Sequence, residues 1–235
     1  MKLRKCFILF VSLSAIFFLH GNDTQAGEFS SSSFGCLKDI YELYKPPYDL
    51  RIKRTGGVLL ITAGLIKYDR QLFDFFRNDL QNNYFRTELG PALNDWALPA
   101  FTVYGLFAPQ TRRERLINIE AIVYTAVNVQ VLKFLIGGSR PVLGEEHFIG
   151  PTLRENYDAM PSDHTAHSFA LATVLSKEYP KYKWCFFSAA TAIGLLRITN
   201  GNHWPSNVFA GAVLGIWCGE RVWRQENSLE LNYRF

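Results

Sequence analysis

Three short stretches of this chain of 235 residues combine cationic, hydroxyl and imidazole side chains at fixed spacings. The first has the pattern K-x6-R-P, the second reads P-S-D-H, and the third has the pattern R-x5-H-x3-N. The side chains that they contribute are Lys133, Arg140, Ser162, Asp163, His164, Arg197, His203 and Asn207. Cations and helix-start amides bind phosphate oxygens, one imidazole can attack phosphorus, and another can protonate the leaving group. The inventory therefore favours phosphoryl chemistry.

The three stretches lie beside the ends of predicted helices, which would position their side chains. Residues 111–136 are predicted to form one long helix that Gly137-Gly138 ends. Ser162 opens a helix to about residue 179, and Pro205 opens the last helix, to about residue 224. Further helical or apolar segments cover residues 57–66, 71–81, 96–107 and 184–198. The predicted fold is therefore all-α, a helical bundle of about six core elements.

Each stretch also has a purely structural interpretation. Lys133 and Arg140 can be solvated surface cations. Ser162 can act only as a helix N-cap, and His203 can cap a helix or stack beside Trp204. The order and spacing of the three stretches together are what favour a common site.

A long loop is predicted between the first two stretches. Residues 142–160 are rich in glycine and acidic residues and show no helical periodicity. Loops of this length in compact domains commonly carry function. We expect this loop to select the substrate.

The composition indicates an ordered, exported protein. A hydrophobic fraction of 48% excludes a disordered chain, and a net charge of +4 without a basic stripe argues against nucleic-acid binding. Residues 1–26 have a basic start, an apolar run and small residues before Gly27, as a signal peptide does; a retained membrane anchor is the alternative. The predicted organisation continues with a lead-in, the helical domain and a tail, over residues 27–55, 56–224 and 225–235.

The sequence leaves membrane embedding open. The apolar runs are shorter than the roughly 20 residues that a span needs, and the mean hydropathy is −0.02. Tryptophan and tyrosine near predicted helix ends nevertheless favour membrane association. They are Trp96, Tyr104, Trp184, Trp204, Trp217 and Trp223. Residues 228–235 alternate between polar and apolar, which indicates either a terminal strand that meets an envelope partner or a polar tail.

Read together, the three stretches resemble the type-2 phosphatidic acid phosphatase and vanadium haloperoxidase superfamily. Its pattern is K-x6-R-P, then P-S-G-H, then S-R-x5-H-x3-D. The resemblance implies that His203 is the nucleophile, which forms a phosphohistidine, and that His164 is the general acid. It implies phosphate binding by Lys133, Arg140, Ser162, Arg197 and the amide of Asp163. No metal or other cofactor is expected, although vanadate can mimic phosphate.

The function that the resemblance implies is hydrolysis of a phosphomonoester or pyrophosphate, most naturally of a lipid. The expected location is the periplasm or the periplasm-facing membrane of a bacterial envelope. Phosphatidic acid, phosphatidylglycerol phosphate, a polyprenyl pyrophosphate and lipid A phosphate all remain open as substrates. A vanadate-dependent oxidase is a further alternative.

Three positions depart from the family pattern. Leu196 replaces a serine of little expected consequence, and Asp163 replaces a glycine, which brings a carboxylate towards the phosphate. Asn207 replaces the aspartate that orients the nucleophile; as an expected catalytic residue it can still accept a hydrogen bond from the His203 ring, but it cannot stabilise the charged ring. The equivalent change in serine proteases costs roughly 10⁴ in rate. One hypothesis is that Asp163 partly supplies the missing carboxylate. The alternative is a degenerate member that binds phosphate or phospholipid head groups without turnover.

Overall fold

The structure, a computed structural model, describes residues 52–79, 88–109 and 111–233. Within these residues lie six α-helices, and the predicted all-α bundle is confirmed. They are α1 (Ile52–Asp74), α2 (Gly90–Phe107), α3 (Arg112–Ile136), α4 (Asp163–Glu178), α5 (Lys183–Thr199) and α6 (Pro205–Tyr233). The predicted signal peptide, and the predicted lead-in up to residue 51, lie outside the described residues.

Helix α3 begins and ends where the sequence predicts. The Thr111 side chain accepts a hydrogen bond from the Glu114 amide, and Glu114 accepts one from the Thr111 amide, which completes a capping box. Gly137 ends the helix in the left-handed conformation, with φ of 58°. This fixed end places Lys133 in the last turn, close to the start of the long loop.

Helix α4 is the centre of the bundle and packs against α2, α3, α5 and α6. Its buried face consists mainly of alanine, leucine and valine. Three glycines of α6 let the backbones of α4 and α6 approach closely: a Cβ at Gly215 would lie 2.2 Å from the Ala166 carbonyl oxygen. The Ser162 amide also donates to the Asn207 carbonyl at 3.0 Å. The two helix starts therefore lie side by side.

The long loop is ordered by its own hydrogen bonds. It contains a 3₁₀ turn, Pro141–Leu143, and an isolated antiparallel bridge between Gly138 and Phe148. The Ser139 hydroxyl donates to the Glu145 carbonyl at 2.8 Å. These contacts fold the loop back against the end of α3.

Two predicted boundaries differ from the structure. The two segments predicted at residues 57–66 and 71–81 are one helix, α1, followed by a π-helical turn at Phe75–Asp79. The alternative of a terminal strand is wrong for residues 228–233, because α6 continues to Tyr233. No glycine or proline follows Gly219 to end that helix. The alternation of polar and apolar residues near the end of the chain is too short to interrupt the helix.

Among the described helices, α3 is the one that is long and apolar enough to cross a bilayer. About a quarter of its most apolar stretch, 28%, is buried within the bundle. Large apolar side chains are also exposed on neighbouring helices, among them Leu60, Trp96, Phe107 and Trp184. Exposed apolar surface of this extent is typical of proteins that contact membranes or partners.

Replacing Gly215 by alanine should destabilise the bundle by about 1–3 kcal/mol, because the added methyl group meets backbone atoms that cannot move aside alone. Gly64→Ala is the matched control, since Gly64 is exposed on α1 with open space around it. That change should stabilise by up to about 1 kcal/mol through helix propensity. Thermal unfolding of both variants checks this, and equal melting temperatures would contradict close packing of α4 on α6.

Candidate active site

The three predicted cations converge on one buried histidine. His203 is 1% exposed and lies in the turn between α5 and α6. Burial, with the charges of Arg197, Arg140 and Lys133, lowers the pKa of His203 well below its ordinary value. The His203 ring is therefore neutral at physiological pH, which is the form that a nucleophile needs.

A backbone carbonyl fixes the orientation of this ring. Nδ1 of His203 lies 2.9 Å from the carbonyl oxygen of Ala159, at the end of the long loop. A carbonyl oxygen only accepts, so Nδ1 carries the proton in this hydrogen bond. Nε2 then holds the lone pair of the neutral ring. The loop thus selects the tautomer with Nε2 available for attack.

The start of α4 supplies donors for an anion. Ser162 is the N-cap residue, as predicted, but its side chain makes no capping hydrogen bond. The Ser162 hydroxyl instead accepts from Thr165 Oγ1 at 3.0 Å, which leaves its own proton for another acceptor. The first amides of a helix have no intrahelical partner, and the helix dipole adds to their attraction for an anion. This helix start therefore suits phosphate oxygens.

Both arginines donate hydrogen bonds to oxygens of the protein, and Arg140 Nη1 donates one to the Asn202 carbonyl at 3.4 Å. Arg140 Nε and Nη2 donate to the two oxygens of Asp158 at 2.8 and 3.1 Å. Arg197 Nη1 donates to Asn94 Oδ1 of α2 at 2.5 Å. Arg197 Nε is buried and has no hydrogen-bond partner. A buried guanidinium donor without a partner is unfavourable, and an anion would satisfy it.

The second predicted catalytic histidine is close to the same charges. Burial, together with the charge of Arg197, lowers the pKa of His164 to about 4. Lys133 also contributes to this lowering. His164 and His203 therefore both respond to Lys133 and Arg197, which brings the three stretches into one site.

A family model for the PAP2 superfamily matches residues 115–229 of this chain. The match spans the three stretches and the helices α3 to α6 that position them. The chain belongs to the PAP2 superfamily.

Individual relatives agree with this PAP2 membership. The chain is 42% identical over 67 residues to the lipid A 1-phosphatase of Porphyromonas gingivalis, which covers 27% of this chain and 15% of that protein. It is 28% identical over 100 residues to the lipid A 1-phosphatase of Rhizobium johnstonii, 41% of each protein. The chain thus spans less than half the length of these curated relatives.

Two solved structures share the PAP2 fold. Aquifex aeolicus LpxE has a TM-score of 0.53 and 28% identity, with 66% of this chain and 94% of that chain covered. A transmembrane PAP2-type phosphatidylglycerolphosphate phosphatase from Bacillus subtilis has a TM-score of 0.52 and 18% identity, covering 73% and 95%. The second likeness concerns the fold alone.

The expected role of Asn207 needs correction. Its side-chain oxygen accepts from Ser206 Oγ at 3.3 Å, and its Nδ2 is buried without a hydrogen-bond partner. No hydrogen bond joins it to His203, whose Nδ1 is engaged by Ala159. The Asn207 side chain therefore contacts its neighbour Ser206, and the Ala159 carbonyl is the group that holds Nδ1 of His203.

Asp163 also differs from expectation. Its carboxylate lies 3.4 Å from Nδ1 of His167, one turn further along α4. The hypothesis that Asp163 stands in for the aspartate missing at position 207 is therefore not supported, because this carboxylate is directed to His167 rather than to His203. Sequence reasoning missed this i, i+4 pairing, although the spacing was visible.

Other groups that sequence reasoning missed come from distant parts of the chain. Asn94 of α2 has no motif around it, and Ala159 acts through its backbone. Asp158 was one of several acidic residues of the predicted loop, and no signal paired it with Arg140, 18 residues earlier. Asp158 and Ala159 directly precede the P-S-D-H stretch, but their residue types did not indicate a contact with Arg140 or His203.

Two carboxyl groups, those of Asp69 and Glu146, hold Ser206 at the start of α6. Asp69 of α1 is 2% exposed and accepts from the Ser206 amide at 2.8 Å. The Ser206 hydroxyl donates to Glu146 at 3.2 Å. Burial and a hydrogen bond with Asp69 raise the pKa of Glu146 to about 9, so Glu146 keeps its proton at neutral pH. The pair borders a cavity of 790 Å³ between α1 and the loop.

Glu146→Gln should make stability less dependent on pH. The pKa of Glu146 rises from 4.5 to about 9 on folding, so its proton stabilises the fold fully below 4.5 and progressively less towards 9. The Gln variant should melt near the wild-type temperature at about pH 5 and above it at about pH 9. Glu145→Gln, at the exposed neighbouring position, is the control; an equal effect there would contradict the raised pKa of Glu146.

Proposed function

We propose that this chain is a phosphatase that hydrolyses a phosphomonoester or pyrophosphate of a lipid through a phosphohistidine on His203. The observation that carries the proposal is one buried site in which a neutral imidazole with a fixed tautomer faces three cations. An unpartnered Arg197 Nε and the uncapped start of α4 add anion-binding donors there.

In the first proposed step, Nε2 of His203 attacks phosphorus and the bond to the leaving oxygen breaks. Arg197, Arg140 and Lys133 offset the charge that develops on the phosphoryl oxygens, together with the Ser162 hydroxyl. His164, protonated in the substrate complex, donates its proton to the leaving alkoxide. The products are the alcohol and a phosphohistidine, with the Nδ1 proton still held by the Ala159 carbonyl.

In the second proposed step, water attacks phosphorus on the side that the alcohol has left. His164, now neutral, takes a proton from this water, and the bond to Nε2 of His203 breaks. Inorganic phosphate leaves and both histidines return to their initial states. The cations of the protein provide the charge stabilisation, and the proposed reaction uses no metal.

The lipid nature of the substrate is supported by the relatives and by the surface of the bundle. Lipid A 1-phosphatases match the chain in sequence, and both solved neighbours belong to this fold family. Exposed apolar side chains on α2 and α3 offer a surface for acyl chains or a bilayer. We infer a phosphorylated lipid at the periplasm-facing membrane as substrate, its head group left open.

His203→Ala should abolish turnover, with a loss in kcat on the order of 10³-fold or more, because it removes the imidazole whose Nε2 attacks phosphorus. The measurement is phosphate release from phosphatidic acid in detergent micelles and from p-nitrophenyl phosphate. His147→Ala is the matched control, since His147 is an exposed histidine of the loop.

Three results would count against the proposed reaction. Turnover that survives in His203→Ala would exclude this nucleophile. Phosphate binding by the wild type without turnover would favour the degenerate binding component. Bromide oxidation with added vanadate would favour the oxidase.

Phosphate binding should take up a proton near pH 6. The pKa of His164 is about 4 in the free site because of burial and Arg197, and a bound anion offsets that positive charge and raises it. Calorimetry in two buffers of different ionisation enthalpy should give an uptake of about half to one proton. His164→Asn should lose this uptake and His147→Asn should retain it. Equal uptake in both variants would contradict the role of His164.

A further inference from the structure

A carboxylate at the start of α4 is unfavourable for a phosphate site, and this chain has one. Asp163 is the first residue of α4, directly after Ser162. Its charge acts on His164 and on Arg197, two groups of the phosphate site. A bound phosphate anion would meet the same carboxylate, and like charges at this range repel.

The imidazole of His167 engages this carboxylate. Nδ1 of His167 lies 2.9 Å from the Asp163 carbonyl oxygen and 3.4 Å from its Oδ1. Both oxygens are acceptors, so Nδ1 carries a proton. The His167 side chain is 11% exposed, and the Asp163 carboxylate is 32% exposed. The imidazole of the pair is therefore nearly buried, while part of the carboxylate remains exposed.

We propose that His167 is a positioning residue that holds the Asp163 carboxylate against α4 and compensates its charge, so that phosphate can bind. This proposal rests on the proposed function and names a determinant of phosphate affinity in the same site. When His167 is imidazolium, the pair is neutral overall. When His167 is neutral, Asp163 keeps its position but adds a net negative charge beside the phosphate.

The other charges around the pair come from three elements. Lys133 approaches from α3, Arg197 from α5, and His164 lies on α4 itself. Helix α6, which packs along the same part of α4, presents glycine there: Gly211 lies against the Ser162 backbone. The surrounding groups are thus cationic or neutral, and His167 is the partner on α4 that closes the hydrogen bond to Asp163.

The electrostatics of the pair agree with this geometry. Burial alone would lower the pKa of His167, but the charge of Asp163 and its hydrogen bonds outweigh burial and raise it. Burial would raise the pKa of Asp163, yet the charge and hydrogen bond of His167, with Lys133, hold it well below its usual range. The charged pair therefore persists to a higher pH than an ordinary imidazolium would, and it is lost as the pH rises through the pKa of His167.

A double-mutant cycle on phosphate affinity tests the proposal. His167→Phe removes both the hydrogen bond and the charge, whereas His167→Asn keeps a donor near the Nδ1 position without the charge. Each is made in the wild type and in Asp163→Asn, which keeps the shape and the amide of residue 163. The dissociation constant of inorganic phosphate is measured by calorimetry, with kcat and KM for p-nitrophenyl phosphate and the melting temperature of each variant.

His167→Phe should weaken phosphate binding about tenfold in the wild type and less than about twofold in Asp163→Asn, as expected for directly coupled neighbours. His167→Asn should fall between, at about threefold. The weakening should appear in KM rather than kcat. Relative to Asp163→Asn, wild-type affinity should also decline as the pH rises from about 6 to about 9, and His167→Asn should remove this decline.

Equal weakening in both backgrounds would overturn the proposal, because it would assign His167 a packing role only. A pH-dependent decline that persists in His167→Asn would overturn it too. If the wild type binds phosphate with this coupling but has no turnover, the proposal stands and the proposed hydrolysis fails. If the wild type binds no phosphate, both fail.

Discussion

The structure depends on one constraint: several positively charged side chains are held together around the imidazole of His203. Lys133 and Arg197 are 7% and 8% exposed, and both act on His203 with Arg140. Cations buried together are unfavourable unless anions or hydrogen bonds offset them. Asp158 offsets Arg140 and Asn94 holds Arg197, but Arg197 Nε has no partner. The fold therefore maintains a positively charged site that a bound anion would neutralise, and the same positive charges keep His203 and His164 neutral.

The close packing of α4 on α6 brings His203 and the start of α4 together within reach of the cations. Gly211, Gly215 and Gly219 allow the two backbones to approach, so both helix starts meet at one end of the bundle. The hydrogen bond from the Ser162 amide to the Asn207 carbonyl joins those starts directly. Larger residues at the glycines would separate the helices and move His203 away from the start of α4. The positive charge around His203 therefore depends on the close packing of these two backbones.

The sequence predicted the parts of the site that depend on local signals. Helix ends at Gly137, Ser162 and Pro205 follow from caps and breakers, and they place the cations and imidazoles at one end of the bundle. The partners of these groups were not predictable in the same way. Ala159 acts through its carbonyl, which has no signature in the sequence, and Asn94 meets Arg197 only through the packing of α2 on α5. Long-range polar contacts of this kind require the tertiary structure.

The exchange of aspartate for Asn207 leaves a neutral side chain at this position, and a backbone carbonyl makes the contact with Nδ1 of His203. A carbonyl at Nδ1 fixes the ring of His203 but does not stabilise a positive ring as a carboxylate would. In the proposed mechanism the phosphoryl group itself supplies negative charge next to that ring. The Asp69–Glu146 pair lies behind Ser206, whose hydroxyl can donate to Glu146 or to Asn207. Since burial and Asp69 raise the pKa of Glu146 to about 9, Glu146 keeps its proton at neutral pH, and both acceptors of the Ser206 hydroxyl are then neutral side chains.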